Sequence, residues 1–150
     1  MLQGEHELEV RNMNRNDLQR ISRLRIKEAR VLLKEGCFLG AYYLLGYAVE
    51  CALKARIAKQ IKRHDFPDRK LINDSYTHDL SKLLRLSGLE IEFQKQIKNN
   101  RDLEVNWAVI KDWSEESRYL TDILKSKATD LYSAVMGRKD GFLSWVKKRW

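Results

Sequence analysis

Leu39-Gly-Ala-Tyr-Tyr-Leu-Leu-Gly-Tyr-Ala-Val-Glu-Cys-Ala-Leu-Lys54 is the stretch on which the reading of this chain turns. It is apolar and rich in small residues and aromatics. Its charges are confined to one acid, Glu50, and one base, Lys54. The spacing predicts a long helix from about Phe38 to Lys62, with Ala41, Ala48, Ala52 and Ala55 forming a small-residue face. Gly40 and Gly46 lower helix propensity, so close approach of a neighbouring element is the expected reason for them.

Working outward, Leu18, Ile21, Ile26, Leu32 and Leu33 mark the inward face of a preceding helix. Asn16, followed by Asp17 and Gln19, reads as its N-cap with a capping-box partner. Gly36 reads as the residue that ends it. Residues 64–75, with Pro67, Asp68, Asn73 and Asp74, read as a loop. A third helix is expected from a Thr77 cap to about Leu86, where Ser87-Gly88 stops it. Ile91, Phe93 and Ile97 mark a short helical segment closed by Asn99-Asn100.

Leu103 to Ile110 alternates like a strand, but no other segment offers a pairing partner, so helix or irregular coil is expected. Ser114-Glu115-Glu116 reads as a helix start with acids in the first turn. A long helix is expected over about Thr121 to Met136, with Ile123, Leu124, Leu131, Ala134 and Val135 inward. Phe142, Trp145 and Val146 define a terminal amphipathic helix. The fold class expected is all-α: an antiparallel four-helix up-and-down bundle with one or two additional short helices. Residues 1–13 read as a flexible tail and 14–150 as a single helical domain.

Composition is consistent with this. With 150 residues, 43% hydrophobic and 33% charged, the chain needs no disulfide or metal to hold a core. Cys37 and Cys51, fourteen residues apart, would stand on the order of 20 Å apart along a helix, too far for a disulfide. Both are expected reduced and buried, as in a cytoplasmic protein. With His6, His64 and His78 they match no zinc template. No signal peptide is visible, and the longest apolar run is too short to span a bilayer.

The net charge of +8 favours polyanionic partners, although a merely basic surface fits it equally. The bases fall in three groups: Arg11 to Lys34, Lys54 to Arg63, and Lys147 to Arg149. The first two merge if their helices pack antiparallel.

Three clusters carry possible chemistry. Glu50 and Lys54 share one helix face. On a surface such a pair adds roughly 0.2–0.5 kcal/mol, but in an apolar helix a charge needs a partner or a ligand. His78, expected in a first helical turn, would be disfavoured as the imidazolium there and can serve as a general base. It can equally hydrogen-bond backbone near a cap. Arg118, beside Tyr119, offers a planar fork for phosphate or carboxylate. Alternatively it pairs with Glu115 or Glu50 and fixes packing. Trp107, Trp145, Tyr43 and Phe142 read as core, whereas Tyr42 and Tyr47 could face a partner subunit or a base. There is no Gly-rich phosphate loop, no acidic cluster suited to magnesium, and no Ser or Cys with an evident base. No cofactor or metal is called for.

Taken in order, Ala41-Tyr42-Tyr43 to Leu53-Lys54, Thr77-His78-Asp79-Leu80 with Leu83-Leu84, Ser117-Arg118-Tyr119 and Phe142-Leu-Ser-Trp145 resemble a HEPN domain over roughly residues 14–150. The resemblance implies a helical bundle acting as a homodimer and binding RNA or nucleotide, in a prokaryotic defence or toxin–antitoxin setting. It also admits a metal-independent endoribonuclease, or a non-catalytic partner of a nucleotidyltransferase. The chain departs from the family's Arg-x(4–6)-His ribonuclease motif: His64 directly follows Arg63, and eight residues separate Arg69 from His78. An active site would therefore have to be assembled in space, with His78 and Arg118 catalytic and Glu50, Lys54, Tyr47 and Tyr119 binding.

Overall fold

The computed structural model describes residues 14–63 and 68–150, with side chains left undescribed at 62 and 63. The tail expected over 1–13, Pro67, His6 and His64 lie outside the described residues. All regular structure among the described residues is helical.

Helix α1 (Arg15–Lys34) begins at Asn14, not at Asn16. The Asn14 side chain accepts from the Asp17 backbone at 2.9 Å, and Asp17 reaches back to the Asn14 N–H. The capping box therefore starts two residues earlier than expected, with Asp17 as the shared partner. At the other end, Gly36 has φ +78°. The Cys37 N–H bonds Leu32 O and the Gly36 N–H bonds Leu33 O. This paired pattern needs a left-handed residue, which glycine supplies without strain.

The chain then reverses into α2 (Phe38–Arg63). Ser22 Oγ donates to Ala48 O at 2.8 Å, which fixes α1 and α2 as an antiparallel hairpin. Ala41, Ala48, Ala52 and Ala55 are all fully buried, so the small-residue face does admit a close neighbour. Gly46 shows the same thing more sharply. A Cβ built there would lie 2.1 Å from the Trp113 indole, so Trp113 packs directly on the α2 backbone.

Three boundaries differ from expectation. Residues 69–74 form a short helix, α3 (Arg69–Asp74), because Asp68 accepts from the Leu71 N–H and caps it. Helix α4 (Leu80–Leu86) is capped by Asp79, whose side chain accepts from Lys82 N at 3.0 Å. Thr77 instead accepts from the Asp79 N–H, so His78 stands just outside the helix. The penultimate helix starts at Lys125, not Thr121, and leaves Leu124 75% exposed.

Helices α5 (Glu90–Ile97) and α6 (Arg101–Lys111) follow. Asn100 caps α6, and Leu103, Trp107 and Ile110 turn inward at helical spacing. A 3₁₀ helix (Glu115–Tyr119), α7 (Lys125–Met136) and α8 (Phe142–Lys147) complete the order. Helix α2 is the hub: α1, α4, the 3₁₀ helix, α7 and α8 all pack on it. Phe93, Trp107, Phe142 and Trp145 form an aromatic cluster, with Phe93 edge-on to the other three. Such pairs add about 0.5–1.5 kcal/mol beyond area burial.

Two residues expected elsewhere in the burial pattern are corrected. Tyr42 is buried in the core, whereas Cys37 is exposed because it follows the Gly36 turn. Cys51 is buried, and both thiols are free. The basic groups meet in part. Arg15 donates to Trp150 O, while Arg56 (3.0 Å) and Lys59 (3.4 Å) donate to Arg149 O. Some of the positive charge therefore serves the fold itself.

Candidate functional site

Tyr43, Tyr47, Glu50 and Lys54 lie along one face of α2, at the i, i+4, i+7, i+11 spacing that stacks side chains in a row. Most of α2 is buried, so this row is the polar seam of an otherwise apolar helix. Two elements close over it, the 77–79 segment before α4 and the 3₁₀ helix after Trp113.

Glu50 is the anchor. Its side chain is only 2% exposed, yet it carries a carboxylate. Both oxygens are engaged: Lys54 Nζ donates to Oε2 at 3.2 Å, and His78 Nδ1 stands 2.7 Å from Oε1. A buried charge persists when it is paired and hydrogen-bonded in this way. The expected Glu50–Lys54 pair is present, but as part of a buried network rather than a surface pair.

His78 is 47% exposed and is held from both sides, because Nε2 lies 3.0 Å from Glu115 Oε2. An ionised carboxylate only accepts. Nδ1 is hydrogen-bonded to Glu50, and Nε2 approaches Glu115 at ion-pair distance. His78 precedes the Asp79 cap instead of standing in the first turn, and two carboxylates face its ring.

Arg118 pairs with neither Glu50 nor Glu115. Its Nη2 donates to the Tyr119 hydroxyl at 2.9 Å, and the guanidinium lies 4.8 Å from the Tyr119 ring centre. These bonds, together with Tyr43, raise its pKa further. Tyr119 is 73% exposed. Tyr43 stacks on Tyr47 with ring centres 6.1 Å apart and planes 10° apart, and meets Trp113 on its other side.

The six expected residues thus fall into two joined groups. Glu50, Lys54 and His78 converge directly. Arg118 and Tyr119 form a second group, linked to the first through Tyr43 and Tyr47. Burial, then the neighbouring Cys51, Glu50 and Tyr43, pushes the Tyr47 hydroxyl up to about 12, against Arg25. It is therefore a neutral donor throughout the physiological range. Burial, reinforced by Glu50, likewise pushes the Cys51 thiol up to about 12.

Sequence reasoning missed two participants. Tyr43 packs against the core as expected, and its spacing from Tyr47 and Glu50 also places it on the seam. In the sequence Glu115 reads as a first-turn acid or a partner of Arg118. Its contact with His78 joins distant segments, and no local pattern announces it. Among the described residues no group of three or more His, Cys, Asp or Glu is placed to hold a metal ion, and none of their helices is long and apolar enough to cross a membrane.

No protein-family model matches the chain, and no curated protein or solved structure matches it.

Proposed function

We propose that this chain is a HEPN-like helical domain that binds RNA or a nucleotide as a homodimer, through the α2 seam and the residues closing over it. In this reading α1, α2, α6 and α7 are the four helices of an antiparallel up-and-down bundle, and its additions (α3, α4, α5, the 3₁₀ helix and α8) outnumber the one or two expected. The observation that carries the reading is the buried Glu50, which holds Lys54 and His78 beside an exposed Arg118–Tyr119 pair. Cations fixed at one end and an exposed aromatic–guanidinium pair at the other offer complementary contacts. The cations suit phosphate, and Tyr119 with Arg118 suits the face of a base.

The test is binding of a short fluorescent single-stranded RNA, and of free nucleotides, across a salt series, with light scattering for the oligomeric state. Expected are a dimer and an affinity that falls steeply and linearly on a log–log salt plot. Salt-insensitive binding, or none to either ligand class, rejects the proposal.

A second reading, a metal-independent endoribonuclease, is favoured by one contact. A carboxylate on one imidazole nitrogen is the arrangement that orients a general base, as Glu50 does for His78. Activating a ribose 2′-hydroxyl requires the other nitrogen to be unprotonated and facing substrate, whereas here it meets Glu115. Binding is therefore the better-supported function. Labelled RNA incubated in chelator with wild type and His78→Ala separates the two. Equal cleavage by both, or none by either, removes His78 from any chemistry.

A further inference from the structure

The two carboxylates on His78 are not equivalent. Glu50 sits in the interior of a long helix, and its second oxygen is tied to Lys54. It cannot leave without placing an uncompensated charge rearrangement in the core. Glu115 is the first residue of a five-residue 3₁₀ helix, and its side chain is 34% exposed. Among the described residues its carboxylate makes an ion pair with His78 alone. Rotating its side chain into water breaks that contact and leaves the backbone untouched.

We infer that the Glu115 carboxylate occupies the position of an anionic ligand. The His78 Nε2 and Lys54 Nζ donors form a phosphate site, which a phosphate group enters as Glu115 swings out. This rests on the binding reading above, and adds to it the group recognised and the residue displaced.

The charge balance supports the exchange. In the closed cluster Lys54 and His78 stand against the two carboxylates of Glu50 and Glu115. Moving Glu115 away removes one negative charge and uncovers His78 Nε2. A phosphoryl oxygen is an anionic acceptor like the carboxylate oxygen it replaces, so it suits the same place beside Nε2. Lys54 retains further N–H donors beyond the one given to Glu50, and its side chain is 20% exposed.

The 3₁₀ geometry adds a third basic residue. Residues three apart eclipse one another in such a helix, which puts Arg118 on the same face as Glu115, one turn along. A chain of phosphates leaving His78 would therefore pass Arg118. While Glu115 is in place, its charge repels any phosphate from this path.

The experiment follows the His78 ring signals by NMR during titration with inorganic phosphate, for wild type, Glu115→Gln, Glu115→Ala and Glu115→Ala/His78→Gln. The last also assigns the His78 signal and is read by calorimetry. A parallel arm uses a short single-stranded RNA, which separates a polynucleotide phosphate from a free one. Removing the like charge is expected to tighten phosphate binding by about tenfold or more in both single variants. That gain is expected to vanish when His78 is also replaced. Glu115→Gln keeps the volume and the backbone, so thermal melting verifies a native fold for the comparison.

Equal phosphate affinity in wild type and both Glu115 variants overturns the inference, as does a gain that survives loss of His78 or an absence of phosphate binding in every variant. Salt-dependent RNA binding indifferent to Glu115 overturns the inference and leaves the RNA reading standing. A Glu115-dependent phosphate gain with no RNA binding in any variant upholds the site and assigns it to free phosphate or a mononucleotide.

Discussion

Glu50 Oε1 and His78 Nδ1 meet at 2.7 Å, joining a buried carboxylate on α2 to a half-exposed ring outside the α4 cap. The contact occupies one Glu50 oxygen while Lys54 occupies the other. It also fixes the orientation of the imidazole, and so decides what its second nitrogen faces.

Removing the anchor is expected to destabilise the fold. Glu50→Ala leaves Lys54 and His78 without their shared partner, but both reach solvent and can rehydrate. The loss is therefore placed near the low end for a broken buried pair, at about 3 kcal/mol. Urea denaturation followed by circular dichroism reads it directly. A midpoint matching wild type would mean that the network contributes nothing to folding.

Gly46 is held small by Trp113. An alanine there would gain about 1 kcal/mol of helix propensity, yet its Cβ would fall 2.1 Å from the indole. Overpacking of that kind costs about 1–3 kcal/mol. Gly46→Ala is expected to lower the urea midpoint, whereas a rise would show that the indole is not packed on the α2 backbone.

The two asparagines at the start of α1 provide a sharp comparison. Asn14→Ala removes the side chain that accepts from Asp17 N and is expected to cost about 1 kcal/mol. Asn16→Ala, an exposed position inside the first turn, is expected to change stability by less than about 0.5 kcal/mol. Thermal melts of the two variants side by side give the answer, and equal losses would reject the Asn14 cap.

The two thiols are expected to differ in reactivity. Burial raises the Cys51 thiol to about 12. A raised pKa keeps the protonated, non-nucleophilic form, so at about pH 8 Cys51 has neither thiolate nor access. Cys37 is exposed. A chromogenic disulfide reagent should titrate one thiol in the native protein and two after denaturation. Two fast native equivalents would contradict the burial of Cys51.

Arg118 separates binding from folding. Its side chain is exposed and contacts Tyr119, so Arg118→Ala should leave the melting temperature unchanged. Loss of one phosphate contact should weaken RNA binding and reduce the log–log salt slope by about one. An unaltered slope would remove Arg118 from the interface.

Much of the helical pattern was legible in the chain. Local spacing carried α2 from Phe38 to its end, the glycine stop at Gly36, and the pairing of Glu50 with Lys54. Each of these is settled by residues within a turn or two of one another. Boundaries were missed where two cap residues compete within a few positions, as with Asn14 against Asn16 and Thr77 against Asp79. There the choice depends on which side chain meets a free N–H once the flanking chain is packed.

Local sequence thus determined the helices and the faces on which the charges lie, because backbone hydrogen bonding and side-chain period act over a few residues. Only the tertiary packing decided that Glu50 is buried, that His78 rather than Arg118 answers it, and that Glu115 closes on the far side of the ring. Those contacts join segments far apart in the chain. Their partners are selected by desolvation of the Glu50 charge inside the packed core, a quantity that does not exist until the helices assemble.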